Sequence, residues 1–324
     1  MATSTRSRDS RRKADVTRPV KGRPTLSVGV VGLGIMGSAM AANLVRARFR
    51  VVGFDIVPDS RKRLKRVGGI PAADVASIAR AAAIIVVSLP SAQALIDVAT
   101  QLAAALEGTR RPGTFGPGRP IVVETSTLPI AVKEQARGIL AARGAVMLDC
   151  PLSGTGLQAR TKDIAVYASG DRAAYRRVVP VLEGFARAHY YVGPFGNGSK
   201  MKFAANLLVA IHNVAAGEAM ALVKKAGLDP ALAVKVLGDG GGSSRMFQVR
   251  APMMAKDDYA SLVTMKLDVW RKDMSAIGEF ARSLGVATPL FDATAPIYAE
   301  ATAANPAEDT GAVCAVIERM SGIE

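Results

Sequence analysis

The chain has 324 residues, 49% apolar but only 5% aromatic, with a formal net charge of +15, and its length suits about two domains of ordinary size. Two cysteines exclude a disulfide framework or a thiolate metal cluster and point to a reducing, cytoplasmic compartment. The only histidines, His189 and His212, stand in no motif offering a neighbouring ligand or nucleophile, so neither a metal site nor a Ser/His/Asp hydrolase is expected.

Residues 1–25 carry eight basic side chains against two acids, a net of +6 that leaves +9 on the body. This segment has no apolar run to serve as a secretory signal and too little apolar content for a core. It is read as a solvated, disordered basic tail, with nucleic-acid contact or organelle targeting as the alternatives. The basic body suits an anionic cofactor and an acidic substrate by raising their local concentration. Nucleic acid is not the expected partner. The apolar run from Ala81 to Ile96 is interrupted by Ser88, Pro90, Ser91 and Gln93 and falls short of the roughly 20 residues a bilayer span needs, so no membrane segment is expected.

From Leu26 onward short β-branched runs alternate with helical stretches: LSVGVVG, RVVGFD, AAIIVVSLP, PIVVETST, AVMLDCPLSG, IAVYASG and HYYVG. Near-continuous apolar strands separated by crossover helices predict an α/β fold, a doubly wound Rossmann sheet covered on both faces. After VGPFGNGS the strand signals stop. The stretch from Lys200 reads as one long apolar helix, ended by Gly227 and Pro230, and further helices follow. The chain therefore divides into a tail (1–25), a sheet domain (26–195) and an all-helical domain (196–324). One small helical domain cannot cover so long an apolar interdomain helix, so a homodimer or homotetramer is expected.

The stretch GVVGLGIMGSAMAANL, residues 29–44, places Gly32, Gly34 and Gly37 between a strand and a helix. In that setting the first glycine permits the turn, the second lets a pyrophosphate approach the backbone, and the third lets helix and strand pack. Leu33, Ile35 and Met36 complete the loop. Asp55, at the end of the second strand run, stands where a carboxylate accepts from both ribose hydroxyls and repels a 2′-phosphate, which favours NAD; Arg61 and Lys62 nearby leave NADP open. Strand carboxyl ends bind ligands in such sheets, which adds Leu89, Pro90 and Thr127 to the cofactor cleft. Thr127 reads equally as a helix N-cap before LPIAVKEQ.

Lys202 and Asn206 are spaced i, i+4 and share one helix face. A lysine amine buried beside a cationic ring has its pKa lowered into the range useful for general acid/base work. On spacing alone the pair also reads as an exposed lysine beside an asparagine. Lys200, two residues out of register, faces elsewhere. Arg245 and Arg250, in SSRMFQVRAPMM, read as helix-surface or interface arginines, with a fork onto a carboxylate as the alternative.

DCPLSGTG (149–156), GNGSKMKFAANLL (196–208) and RKDM (271–274), in order behind GLGIMG, resemble the β-hydroxyacid dehydrogenase family, the group that includes 3-hydroxyisobutyrate dehydrogenase and is related to 6-phosphogluconate dehydrogenase. The resemblance covers residues 26–324. It implies that Ser153, Gly154 and Thr155 cradle a substrate carboxylate, that Lys202 is the catalytic lysine, that Asn206 faces the substrate, and that Lys272, followed by Asp273, meets the cofactor end of the cleft. Thr155 replaces a glycine of the family pattern, Ala205 an asparagine and Cys150 an alanine; the cysteine reads as inert packing.

The expected activity is NAD-dependent oxidation of a short 3-hydroxy acid to its semialdehyde, with Lys202 removing the hydroxyl proton. An NADPH-linked reductase of a sugar-acid semialdehyde or imine is the enzymatic alternative. A non-catalytic nucleotide- or nucleic-acid-binding protein is the alternative of another class.

Overall fold

A computed structural model describes residues 26–107 and 120–323. The expected basic tail lies outside the described residues. Six strands build the main sheet: β1 (Ser27–Val31), β2 (Arg50–Phe54), β3 (Ile70–Pro71), β4 (Ile84–Val87), β5 (Ile121–Glu124) and β6 (Val146–Asp149). Between them run α1 (Ile35–Arg46), α2 (Pro58–Arg66), α3 (Val75–Ala81), α4 (Ala92–Leu106) and α5 (Ile130–Ala141). The strand order is β3-β2-β1-β4-β5-β6 and every pairing is parallel. Parallel strands covered on both faces need apolar residues at consecutive positions, and β4 (IIVV) and the apolar positions of β5 (IVVE) are all buried. The order reverses between β1 and β4, so the crevice at the carboxyl ends of those strands is where such a sheet takes a ligand.

The last strand runs leave the main sheet. Pro151 has no N–H to extend β6, and the chain turns there into β7 (Leu152–Ser153), α6 (Gly156–Arg160), β8 (Ala165–Ala168), α7 (Arg172–Phe185) and β9 (Ala188–Tyr191). These three strands form a separate sheet in which β7 runs antiparallel to β8 and β9 parallel to it. Apolar runs reveal strands but not which sheet they join, so DCPLSG read as one strand and is two. The two-residue β3 carries too little pattern to be seen in the sequence.

After β9 the described chain is helical: α8 (Asn197–Lys225), α9 (Pro230–Asp239), α10 (Arg245–Met254), α11 (Leu267–Ser283), α12 (Pro289–Ala304), a 3₁₀ turn at Thr310–Ala312 and α13 (Val313–Met320). α8 has 29 residues and by length and composition alone is apolar enough to cross a membrane. It instead packs against α10, α11, α12 and α13 and reaches β8. Phe203, Ala210, Val214 and Met220 of α8 enter a core completed by Phe247, Trp270, Phe291 and Val313. Burying side chains of this size contributes roughly 1.5–3 kcal/mol each, which makes α8 the axis of the helical half.

Candidate active site

Three glycines meet three different demands at the β1–α1 turn. Gly32 has φ +87°, and a Cβ there would lie 2.0 Å from the Ser88 carbonyl oxygen. A Cβ on Gly37 would lie 1.8 Å from the Gly32 carbonyl oxygen, so helix and turn close only on glycine. A Cβ on Gly34 meets nothing within 4 Å. Among the described residues no atom requires glycine there, and the exposed space over it is what a pyrophosphate needs. α1 begins at this residue with no side-chain cap and no acid in its first turn, leaving its N-terminal N–H groups and positive dipole end to an anion.

Asp55 closes the same crevice. Its carboxylate accepts from the Leu33 N–H at 2.6 Å and from the Val57 N–H at 2.8 Å, which fixes it beside the glycine turn. Arg61 donates to the Asp55 carbonyl oxygen and lies over the Phe54 ring. The Leu33 side chain is fully buried and serves the core, so this residue offers only backbone to the crevice. Ile35 is exposed and Met36 half-buried at its rim. Leu89 borders the turn, its N–H donating to Ser126 Oγ, and Pro90 is exposed beside it. Thr127 is not a cap, because α5 starts after Pro129; its carbonyl oxygen accepts from Lys272 at 3.0 Å. The residues present therefore fit a dinucleotide.

A cleft of about 520 Å³ lies between the small sheet and helices α8, α10 and α11. Ser153, Gly154 and Thr155 line one wall, Lys202 and Asn206 stand on α8, and Arg250 and Trp270 come from the helical side. Gly154 has φ +136°, a conformation that favours glycine. Thr155 turns out to be the N-cap of α6: its hydroxyl and N–H exchange bonds with Gln158 in a capping box. Lys200 is exposed and outside the cleft.

Lys202 holds its amine at a pKa lowered to about 8. Burial is the main cause, the Asp273 carboxylate opposes it, and the positive Lys272 adds to it. Asp273 is 4% exposed and ties the cluster together, accepting from Asn206 Nδ2 at 3.0 Å and from Lys272 Nζ at 2.6 Å. RKDM contains this residue, but its contact with Asn206 spans 67 residues and leaves no local signal.

Beneath the site lies a buried ion cluster that the sequence does not reveal. Lys133 on α5 is 0% exposed and pairs with Glu124 at 2.7 Å and Asp149 at 2.8 Å, both carboxylates equally buried. Asp149 also accepts from the Ser199 N–H and Ser199 Oγ in the first turn of α8, three residues before Lys202. The carboxylate thus caps α8 and holds it against β6. Lys133 further donates to the Ser126 carbonyl oxygen, next to Thr127. Cys150 is buried beside this cluster, where burial and the Asp149 charge push its thiol well up, in keeping with inert packing.

The arginines divide. Arg245 is exposed and reaches Asp163 at 3.3 Å. Arg250 corrects the helix-surface reading: it is 2% exposed and its Nε donates to Asp309 Oδ1 and Thr310 Oγ1. Its partner stands 59 residues away, which no local pattern signals.

A parallel sheet with this switch point, an open glycine turn facing an acid, and a lysine of lowered pKa in the adjoining cleft define an NAD(P)-dependent oxidoreductase. A family model described as the NAD binding domain of 6-phosphogluconate dehydrogenase matches residues 27–193, and one described as NAD-binding of NADP-dependent 3-hydroxyisobutyrate dehydrogenase matches residues 196–317. The chain is 33% identical to L-threonate dehydrogenase of Cupriavidus necator over 92% of its own length and 97% of that protein's. It is 29% identical to 2-hydroxy-3-oxopropionate reductase of Escherichia coli over 82% of this chain and 87% of that one. The crystal structure of 3-hydroxyisobutyrate dehydrogenase from Salmonella typhimurium is similar with a TM-score of 0.78 and 29% identity, over 90% of this chain and 99% of that one. The chain belongs to the β-hydroxyacid dehydrogenase family and acts on a CH–OH group.

Proposed function

We propose that the protein oxidises a short 3-hydroxy acid to its semialdehyde with a preference for NAD, and runs the reverse reduction when products accumulate. The observation that carries this reading is the Lys202 amine, held near a pKa of 8 in the cleft lined by Ser153 and Gly154 and next to Lys272, which bonds the Thr127 carbonyl oxygen. When bound, the nicotinamide supplies hydride acceptance and release. Ser153, Gly154 and the start of α6 hold the substrate carboxylate. Asn206, steered by Asp273, orients the reacting hydroxyl, and neutral Lys202 takes its proton; in the reverse direction the lysine cation returns it. Lys272, bonded to the Thr127 carbonyl oxygen, spans the cofactor edge of the cleft and keeps a positive charge beside Lys202. The geometry of Asp55 supports NAD, since a carboxylate at the ribose position repels a 2′-phosphate. The names of the relatives make 3-hydroxyisobutyrate, whose primary alcohol yields a semialdehyde, and L-threonate, whose secondary alcohols would yield a keto acid by the same hydride and proton removal, the first substrates to try.

A screen of three- to five-carbon hydroxy acids against NAD and NADP tests the proposal. Turnover of at least one 3-hydroxy acid is expected, with the higher kcat/KM on NAD. Oxidation of none of them, or a preference for NADP that Asp55→Ala leaves unchanged, contradicts it.

A further inference from the structure

Arg250 lines the cleft with its terminal nitrogens only weakly met by its own protein partners. Its Nε is fixed from behind by Asp309 Oδ1 at 3.1 Å and Thr310 Oγ1 at 2.9 Å. Asp309 is itself immobile: it is fully buried and also accepts from the N–H groups of Thr264, Met265 and Gly311. The terminal nitrogens fare differently. Among the described residues Nη1 meets the Met246 thioether sulfur at 3.0 Å, and Nη2 meets Thr264 Oγ1 at 3.5 Å. A thioether is a weak acceptor and 3.5 Å is the limit of a hydrogen bond, so four strong N–H donors of a buried cation lack a strong acceptor. Such donors are costly to leave unmade. This same side chain lines the cleft that holds Lys202, on the wall built by α10 and away from Ser153 and Gly154 on the small sheet.

The charge balance selects the ligand. Asp309 already neutralises the guanidinium one to one, so the subsite asks for oxygen acceptors and not for a further net charge. Hydroxyl groups on the far end of a hydroxy acid supply them, whereas a methyl group leaves the donors bare.

We propose that the terminal N–H groups of Arg250, pre-aimed by Asp309, bind the tail hydroxyls of the substrate, so that the enzyme selects short polyhydroxy acids over branched, singly hydroxylated ones. This rests on the proposal that Lys202 works on a hydroxy acid in the same cleft. The test compares kcat/KM for L-threonate and for 3-hydroxyisobutyrate in the wild type, Arg250→Met and Arg250→Lys, with thermal unfolding of each. Arg250→Lys keeps a cation opposite Asp309 and guards against loss of the fold. For L-threonate a fall of about 10- to 100-fold is expected with Met and a smaller one with Lys, the range set by losing hydrogen bonds to a charged group. For 3-hydroxyisobutyrate both variants are expected within about threefold of wild type. Equal losses on the two acids, or no loss on either, overturn the proposal. Wild type inert towards both acids would instead sink the proposed activity. Titration of L-threonate into wild type and Arg250→Lys then reads the subsite alone: weaker binding to the variant supports it, and equal binding or none overturns it.

Discussion

At Gly34 and Gly37 the same substitution is expected to do opposite things. Alanine at Gly37 drives a methyl into the Gly32 carbonyl oxygen, and helix α1 must shift, which costs on the order of 1–3 kcal/mol or more. Alanine at Gly34 meets no atom of the described residues, so the melting temperature is expected to stay within about 2 °C while NAD affinity falls at least about tenfold. Thermal unfolding together with fluorescence titration separates the two, and normal NAD binding by Gly34→Ala contradicts the cradle. Asp273 gives a second test at this scale. Its charge raises the Lys202 pKa, so Asp273→Asn is expected to move the acid limb of the kcat profile, near pH 8 in the wild type, to lower pH. An unmoved limb means that the carboxylate does not bear on the base. The glycine turn and Asp55 follow from local turn chemistry, whereas Lys202 and Asn206 stand out only through the resemblance of the flanking motifs, since helical spacing alone leaves them an exposed lysine beside an asparagine. Asp273 was not singled out, since the contact that gives it meaning, with Asn206, joins two helices 67 residues apart.

Among the elements, the start of α8 depends on a charge that the sequence hides. Lys133 sits in α5 with the look of a surface lysine, yet its amine lies between Glu124 of β5 and Asp149 of β6. Removing it leaves two buried carboxylates without a cation, and Lys133→Met is expected to cost about 3–5 kcal/mol in urea unfolding. Ser199→Ala removes a single bond to Asp149 and is expected to cost about 1 kcal/mol. Equal stability of Lys133→Met and wild type contradicts the hub. Strand and helix runs were readable at this scale because burial on both faces of a parallel sheet demands unbroken apolar strands. The branching of the chain at Pro151 into a second sheet was not, because it depends on what β7 to β9 pack against. The 29-residue span of α8 was legible from its composition, but the four helices wrapped on it were not.

For the whole molecule, the long α8 axis and exposed apolar residues such as Leu222, Leu232 and Val236 support the proposal of a homodimer or homotetramer. Light scattering coupled to size-exclusion chromatography is expected to give two or four times the 33.8 kDa chain mass, and a monomer at micromolar concentration contradicts it. The sheet, the α8 anchor and the cleft converge on one atom, the Lys202 Nζ, whose role as proton acceptor is the central claim. The most direct measurement is kcat against pH for hydroxy-acid oxidation by the wild type, Lys202→Ala and Lys200→Ala. With Lys202 as the base, wild-type kcat rises with pH through about 8, where the amine becomes neutral, Lys200→Ala behaves alike, and Lys202→Ala loses about a hundred to ten thousand fold together with that limb. Retention by Lys202→Ala of more than about a tenth of wild-type kcat, a barrier change under about 1.4 kcal/mol, contradicts it.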